Sequence, residues 1–193
     1  MAIVNRTPDS FYDGGAAYDL DAAIARVDQA VTDGADIVDI GGVPAGHGEP
    51  VSEAEEIRRT AGLLRAVRER HPDVVLSVDT YRAAVAEAAC AVGADLLNDA
   101  WGSADPGLPT VAAEYDVGLV CSHTGGLPPR TDPHRVAYAD VVAAVVEGTT
   151  ELAEKALAAG VSKDRLVVDP THDFGKNTYH SLELTRRLGE LVA

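Results

Sequence analysis

Six short apolar runs in this chain each meet a hard polar residue at their C-terminal end: Asn5, Asp39, Asp79, Asn98 with Asp99, His123 and Asp169. Any one of them, taken singly, reads as the side-chain cap of a following helix, a position that Asp and Asn favour. Capping across six runs predicts a mixture of Ser, Thr, Gly and Asp, whereas this set is nearly all carboxylate and amide. Carboxylates and amides gathered round one pocket suit a neutral ligand rich in N–H donors, such as an amino-substituted heterocycle. A carboxylate facing a ring N–H and an exocyclic amine makes a paired, charge-assisted hydrogen bond.

The segments after these ends supply cations: Arg6, Arg82, Arg130, Arg135 and Lys176. The arginines read mainly as solvated surface charges. Lys176, in "DFGKN", is a candidate ligand contact because Gly175 lets the backbone come close. A metal-dependent hydrolase is the competing chemistry, with His123, His172 and Asp173 as ligands. Such a barrel would carry a His-x-His on its first strand; Asn5-Arg6-Thr7 stands there instead, and the ligand count and spacing fall short of a zinc site.

The elements that must position these residues alternate strictly. Strands are expected at about Ala2 to Asn5 and at "ADIVDIGG", "VVLSVDT", "DLLNDA", "VGLVCSH" and "RLVVDP". Between them lie helical patterns, the first with Leu20, Ile24, Val27 and Val31 on one face and a stop near Gly34. The second opens on a Ser52/Glu55 capping box and carries Ile57, Leu64 and Val67. An Ala-rich helix runs through Val85 to Val92, a short one follows Pro109, a long one runs from about Tyr138 to Ala159, and "HSLELTRRLGELVA" is the last. Six βα units in this order imply a parallel sheet wound by right-handed crossovers.

A doubly wound sheet would carry a Gly-rich phosphate loop after strand one, where this chain has Asn5 to Gly15. Polar residues spread over many strand ends instead mark a (β/α)8 barrel of the TIM type. The expected fold class is therefore α/β, a TIM-type barrel with about six βα units, forming one domain over residues 1–193. A full barrel takes about 250 residues, so this one is expected to be incomplete at its C-terminus. Six parallel strands alone leave two open edges.

Composition agrees. The chain has 193 residues, 46% of them apolar and only 5% aromatic, a palette for Val- and Ile-rich strands under Ala-rich helices. A formal charge of -15 argues against nucleic acid or an anionic membrane surface as partner, since both need a basic field. Cys90 and Cys121 have no Cys-x-x-Cys spacing and read as small buried hydrophobes of a reducing compartment. No run approaches the ~18 apolar residues of a membrane span, and Met1 leads into a strand rather than a basic leader; the expected location is the cytoplasm.

With these residues assembled, the chain resembles the pterin-binding barrel family, and within it the dihydropteroate synthases. "IVNRTPDSFYDGG" is similar to the family's first loop, Asn-Val-Thr-Pro-Asp-Ser-Phe followed by Asp-Gly-Gly. "GADIVDIGG", "SVDTYRAAVAEAA" and "GADLLNDAWG" match its second, third and fourth strands, and "DPTHDFGK" its sixth, Asp-Pro-Gly-Ile-Gly-Phe-Gly-Lys. The matches keep the family's order along the whole chain.

The resemblance implies the condensation of 6-hydroxymethyl-7,8-dihydropterin diphosphate with para-aminobenzoate, releasing diphosphate, in folate biosynthesis. It implies Mg²⁺ as cofactor, with Asn5 at the Mg²⁺-diphosphate group, and Thr7 and Asp9 closing the first loop over substrate. Asp79, Asn98 and Asp169 fall where the family holds the pterin ring, Phe174 where an aromatic lies against it, and Lys176 completes the substrate-binding set. Asp79, Asp169 and Asp9 are the implied catalytic carboxylates. A homodimer is implied for the complete protein.

The departures define a second expectation. The family's second loop, Gly-Glu-Ser-Thr-Arg-Pro-Gly, becomes "GGVPAGHGEP", with Ala45 and Gly46 where Thr and Arg would be and His47 nearby. Thr171, His172 and Asp173 replace Gly-Ile-Gly, and "SHTGG" replaces His-Met-x-Gly. These changes imply a paralogue branch, and the alternative is a catalytically silent protein that holds a pterin or other heterocycle as a regulator or partner subunit. A barrel methyltransferase using a folate donor is a third reading. Nothing here matches the seventh-strand Ser-Arg-Lys or the eighth-strand Arg-x-His of the family.

Overall fold

A computed structural model describes residues 1–7, 19–46, 48–131 and 136–192. The expected alternation is present, as β1 (Ala2–Asn5), α1 (Leu20–Thr32), β2 (Ile37–Gly41), α2 (Glu53–Arg70), β3 (Val75–Asp79), α3 (Ala83–Cys90), β4 (Leu96–Asp99), α4 (Leu108–Glu114), β5 (Gly118–Ser122), α5 (Val141–Ala158), β6 (Leu166–Asp169) and α6 (Thr178–Arg186). All strand pairs are parallel and follow chain order from β1 to β6. Among the described residues β1 and β6 each pair on one side only, so the sheet is open.

The period-2 pleat divides the strands between two environments. Val4, Val38, Ile40, Leu76, Val78, Leu97, Leu119 and Cys121 point outward into the apolar layer beneath the helices. Ala23 and Val27 of α1, Leu63, Leu64 and Val67 of α2, and Ala86 and Ala89 of α3 meet them there. The opposite face carries Asp39, Ser77, Asp79, Asn98 and Asp169, together with Ile3 and Val167, both well exposed. This inner face is the polar one, the reverse of a sheet with helices on both sides.

Helix starts follow from local chemistry. Asp19 caps α1 by accepting from the N–H groups of Asp21 and Ala22, and Asp140 caps α5 through Val142 and Ala143. Ser52 caps α2 as the sequence implies, but Glu55 does not complete the box; its carboxylate turns outward to Arg58 and Arg59. The last helix ends sooner than its pattern, at Arg186, and a 3₁₀ turn over Leu188–Glu190 follows. Both cysteines are free and buried, and burial pushes each thiol up to about 11.

Leu76 sits fully buried on a strand with neighbours on both sides. Leu76→Ala is expected to lower the unfolding free energy by about 2–5 kcal/mol, read as a shifted urea midpoint at unchanged slope.

Candidate functional site at the strand ends

The register lays Asn5, Gly41, Asp79 and Asn98 side by side across β1 to β4. Gly41 is the gap in this row: a Cβ there would lie 2.5 Å from Asn5 Oδ1 and 3.6 Å from Asp79 Oδ2. One layer deeper, Asp39 and Ser77 are register partners, and the Ser77 hydroxyl donates to Asp39 Oδ1 at 2.5 Å. Asn98 Nδ2 donates to the other oxygen of Asp39 at 3.2 Å. Asp169 stands on the same face of β6, opposite Ser122, and accepts the Thr171 N–H at 2.7 Å.

Electrostatics here are set by burial among like charges. Removal from water raises the proton affinity of Asp79 well above the usual carboxylate range, and the carboxylates of Asp39, Glu56 and Asp99 push it further. Burial raises Asp39 as well, opposed by its bonds from Ser77 and Asn98. The strand-four pair divides: Asn98 faces inward, whereas Asp99 turns back to accept the N–H groups of Trp101 and Ser103 and shapes its own turn.

The loops close the rim. Trp101 after β4 and Phe174 after β6 meet edge to face, with ring centroids 4.7 Å apart. Lys176 is buried, and its Nζ donates to the carbonyls of His123, Thr171 and Phe174 at 2.6, 3.0 and 2.8 Å. All three ammonium donors are thus used inside the chain, and burial lowers the group to about 8, with the Asp169 charge acting in the opposite sense. It fastens a strained turn: Thr171, where the family motif has glycine, takes φ 52°, a left-handed backbone that a β-branched residue adopts at a cost. Gly175 is required there, since a Cβ would come within 2.2 Å of the Thr124 carbonyl oxygen.

Thr7 is buried beside β1 and Asn5 is half-buried. Asp9, His47 and Arg135 lie outside the described residues. Arg6 donates to the Arg59 carbonyl rather than standing in solvent. The histidines do not converge: His123 packs beside Gly148 on the helix side, and His172 contacts Thr185. Among the described residues no group of three or more His, Cys, Asp or Glu is placed to hold a metal ion.

Sequence reasoning missed several contributors. Glu56, fully buried, accepts from Thr80 at 2.7 Å and pairs with Arg82 at 2.6 Å beneath the site. Its only sequence signal was an acidic first helical turn, which reads as solvent-facing. Arg130 reaches from the β5–α5 loop to donate to the carbonyls of Gly46 and Glu49 in the loop after β2. That loop lies low: Val43, Pro44 and Ala45 pack over Asp79 and Trp101 around a void of only about 10 Å³. On the other side of Pro44 a cavity of about 470 Å³ opens toward Arg59 and Arg130.

A parallel βα sheet whose inner face gathers carboxylates and amides at the C-terminal strand ends is the architecture of a TIM-type barrel, whose sites lie at that end. The family described as "Pterin binding enzyme" matches residues 1–193, and the chain belongs to it. It is 55% identical to "Inactive dihydropteroate synthase 2" of Mycobacterium tuberculosis, covering all of this chain and 62% of that protein. It is 37% identical to the dihydropteroate synthase of Streptococcus pyogenes, over 97% of this chain and 68% of that one. The dihydropteroate synthase structure of Yersinia pestis, solved with a sulfonamide drug, superposes with a TM-score of 0.92 at 36% identity, over 99% of this chain and 69% of its own. The chain thus spans about three fifths of the mycobacterial relative's length.

Two outcomes are expected. Lys176→Met strands three carbonyls, so it should cost about 3 kcal/mol in stability, and amide exchange at Phe174, whose N–H bonds to Thr171, should speed up. Burial and the Lys176 charge lower His123 to about 4, below its unfolded value near 6.5. The unfolded chain therefore binds the extra proton first, and stability present above pH 6.5 is lost as pH falls toward 4, by about 3 kcal/mol. Denaturant titrations of wild type and His123→Gln should converge across that window.

Proposed function

We propose that this chain forms the pterin-holding part of a protein of the dihydropteroate synthase type, and that it holds the ring without running the condensation at synthase rates. The observation that carries the first half is the inner-face set Asp79, Asn98 and Asp169, intact on β3, β4 and β6 of one parallel sheet. A carboxylate of raised proton affinity beside a fixed amide matches the N–H donors and ring nitrogens of a pterin. Phe174, braced by Trp101, offers a flat apolar wall. Lys176 contributes by holding the turn that presents Phe174.

The second half rests on the loop after β2. No guanidinium or hydroxyl stands at Ala45 and Gly46, and among the described residues the two guanidinium groups that reach this loop, Arg59 and Arg130, bond its carbonyls at Gly42, Gly46 and Glu49. The loop also leaves only a narrow space beside Asp79, with a larger cavity on the far side of Pro44. The 55% identical mycobacterial relatives bear the name "inactive". Turnover remains the competing reading, and the intact inner face favours it.

For that reaction the residues divide the labour as follows. Asp79 and Asp169 stabilise positive charge developing on the pterin as diphosphate departs. In this reading Thr7 and Asp9 belong to the substrate contacts, and the amine of para-aminobenzoate displaces diphosphate, losing a proton as the new C–N bond forms. Asn5 presents a neutral amide oxygen at the rim, a hard donor of the kind that Mg²⁺ accepts alongside substrate phosphates. When bound, Mg²⁺ neutralises leaving-group charge. In this reading residues 1–193 belong to a single barrel domain of a cytoplasmic homodimer, with no nucleic-acid or membrane partner. Among the described residues no helix is long and apolar enough to cross a membrane.

Calorimetry with 6-hydroxymethyl-7,8-dihydropterin diphosphate tests this, on the complete protein with and without Mg²⁺. Saturable binding that weakens at least tenfold in Asp79→Asn, with no pteroate formed when para-aminobenzoate is added, is the expected result. Pteroate formation at ordinary enzyme rates, on the order of 1 s⁻¹ or faster, would sink the silent reading. Absence of any pterin binding would sink both.

A further inference from the structure

Asp39 is a buried carboxylate with no place in the reaction described above. It lies one layer below the row of Asn5, Gly41, Asp79 and Asn98, too deep to be a rim contact. Its two oxygens are each committed: Oδ1 accepts from the Ser77 hydroxyl and Oδ2 from the Asn98 side-chain amide. Ser77 itself is fully buried, so Asp39 cannot swing away from Asn98 without stranding that hydroxyl. A carboxylate accepts only, while a carboxamide has one donating and one accepting end.

We propose that Asp39 is a positioning residue that sets the amide of Asn98, drawing its nitrogen down to the carboxylate and leaving its carbonyl oxygen toward the ligand. Among the described residues that oxygen accepts no hydrogen bond. At Asn98 the pocket therefore reads an N–H donor on the ligand and rejects a ring that presents an acceptor there. The selectivity is set from the floor, across β3, by a residue that never touches the ligand. The inference rests on the pterin-holding reading for its ligand but not for its geometry.

Two measurements test it. The first is a double-mutant cycle on binding of 6-hydroxymethyl-7,8-dihydropterin diphosphate, with Asp39→Ala, Asn98→Ala and the pair, each checked by thermal melting. Acting through Asn98, Asp39→Ala should weaken binding about tenfold, while the pair should bind no more weakly than Asn98→Ala alone. Asp39→Asn, whose side-chain oxygen still accepts from Asn98, should recover most of the loss. Multiplying effects in the pair, or Asp39→Asn as weak as Asp39→Ala, would overturn the proposal.

The second measurement needs no ligand. In the proton–nitrogen spectrum of the free protein, the Asn98 side-chain amide should exchange slowly with solvent and lie displaced from free carboxamides; both properties should vanish in Asp39→Ala. An Asn98 amide that already exchanges like an exposed one in wild type overturns the assignment. Should the pterin fail to bind at all, the pterin-holding reading falls, and this spectrum alone decides the role of Asp39.

Discussion

The site depends on the parallel register of β1 to β6. Because side chains alternate strictly along a strand, a one-residue slip would move every inner residue to the helix side. Apolar residues on the opposite face hold the register by burying against the helices: Val38 and Ile40 flank Asp39, Leu76 and Val78 flank Ser77, and Leu97 adjoins Asn98. The core thus does more than stabilise. It forces Asp39, Ser77, Asp79 and Asn98 into one chamber that none of them would choose, since buried polar groups cost free energy unless paired.

Two kinds of compensation make that chamber tolerable. Deep in the sheet, Asp39 is offset by hydrogen bonds from Ser77 and Asn98 rather than by a cation. Beneath the rim, Glu56 is offset by Arg82 and Thr80. Asp79 lies between these carboxylates and is pushed toward its protonated form. A ring bearing N–H donors and positive charge beside Asp79 would offset that cost.

The loops follow a different logic. Lys176 binds three carbonyls and so fixes the turn at Thr171, whose left-handed backbone persists because its surroundings over-determine it. Arg130 spans from the β5–α5 loop to the loop after β2, and Pro44 separates a nearly filled void over Asp79 from a larger cavity behind it. Cations that read as surface charges or ligand contacts are therefore structural ties between loops.

The sequence by itself determined the strand ends and the family. Asn5, Asp79, Asn98 and Asp169 are legible because each terminates an apolar run, and the βα alternation is legible because period 2 and period 3.6 differ. The motifs "DPTHDFGK" and "GADLLNDAWG" then carry the pterin resemblance. Only the tertiary structure decided the partners. That Lys176 points into carbonyls, that Asp99 turns back on its own loop while Asn98 faces in, and that Glu56 of a helix serves a strand end are outcomes of contacts between residues far apart in the chain. A side chain's type limits what it can bond, but its neighbours across the sheet choose which bond it makes, and local pattern holds no record of them.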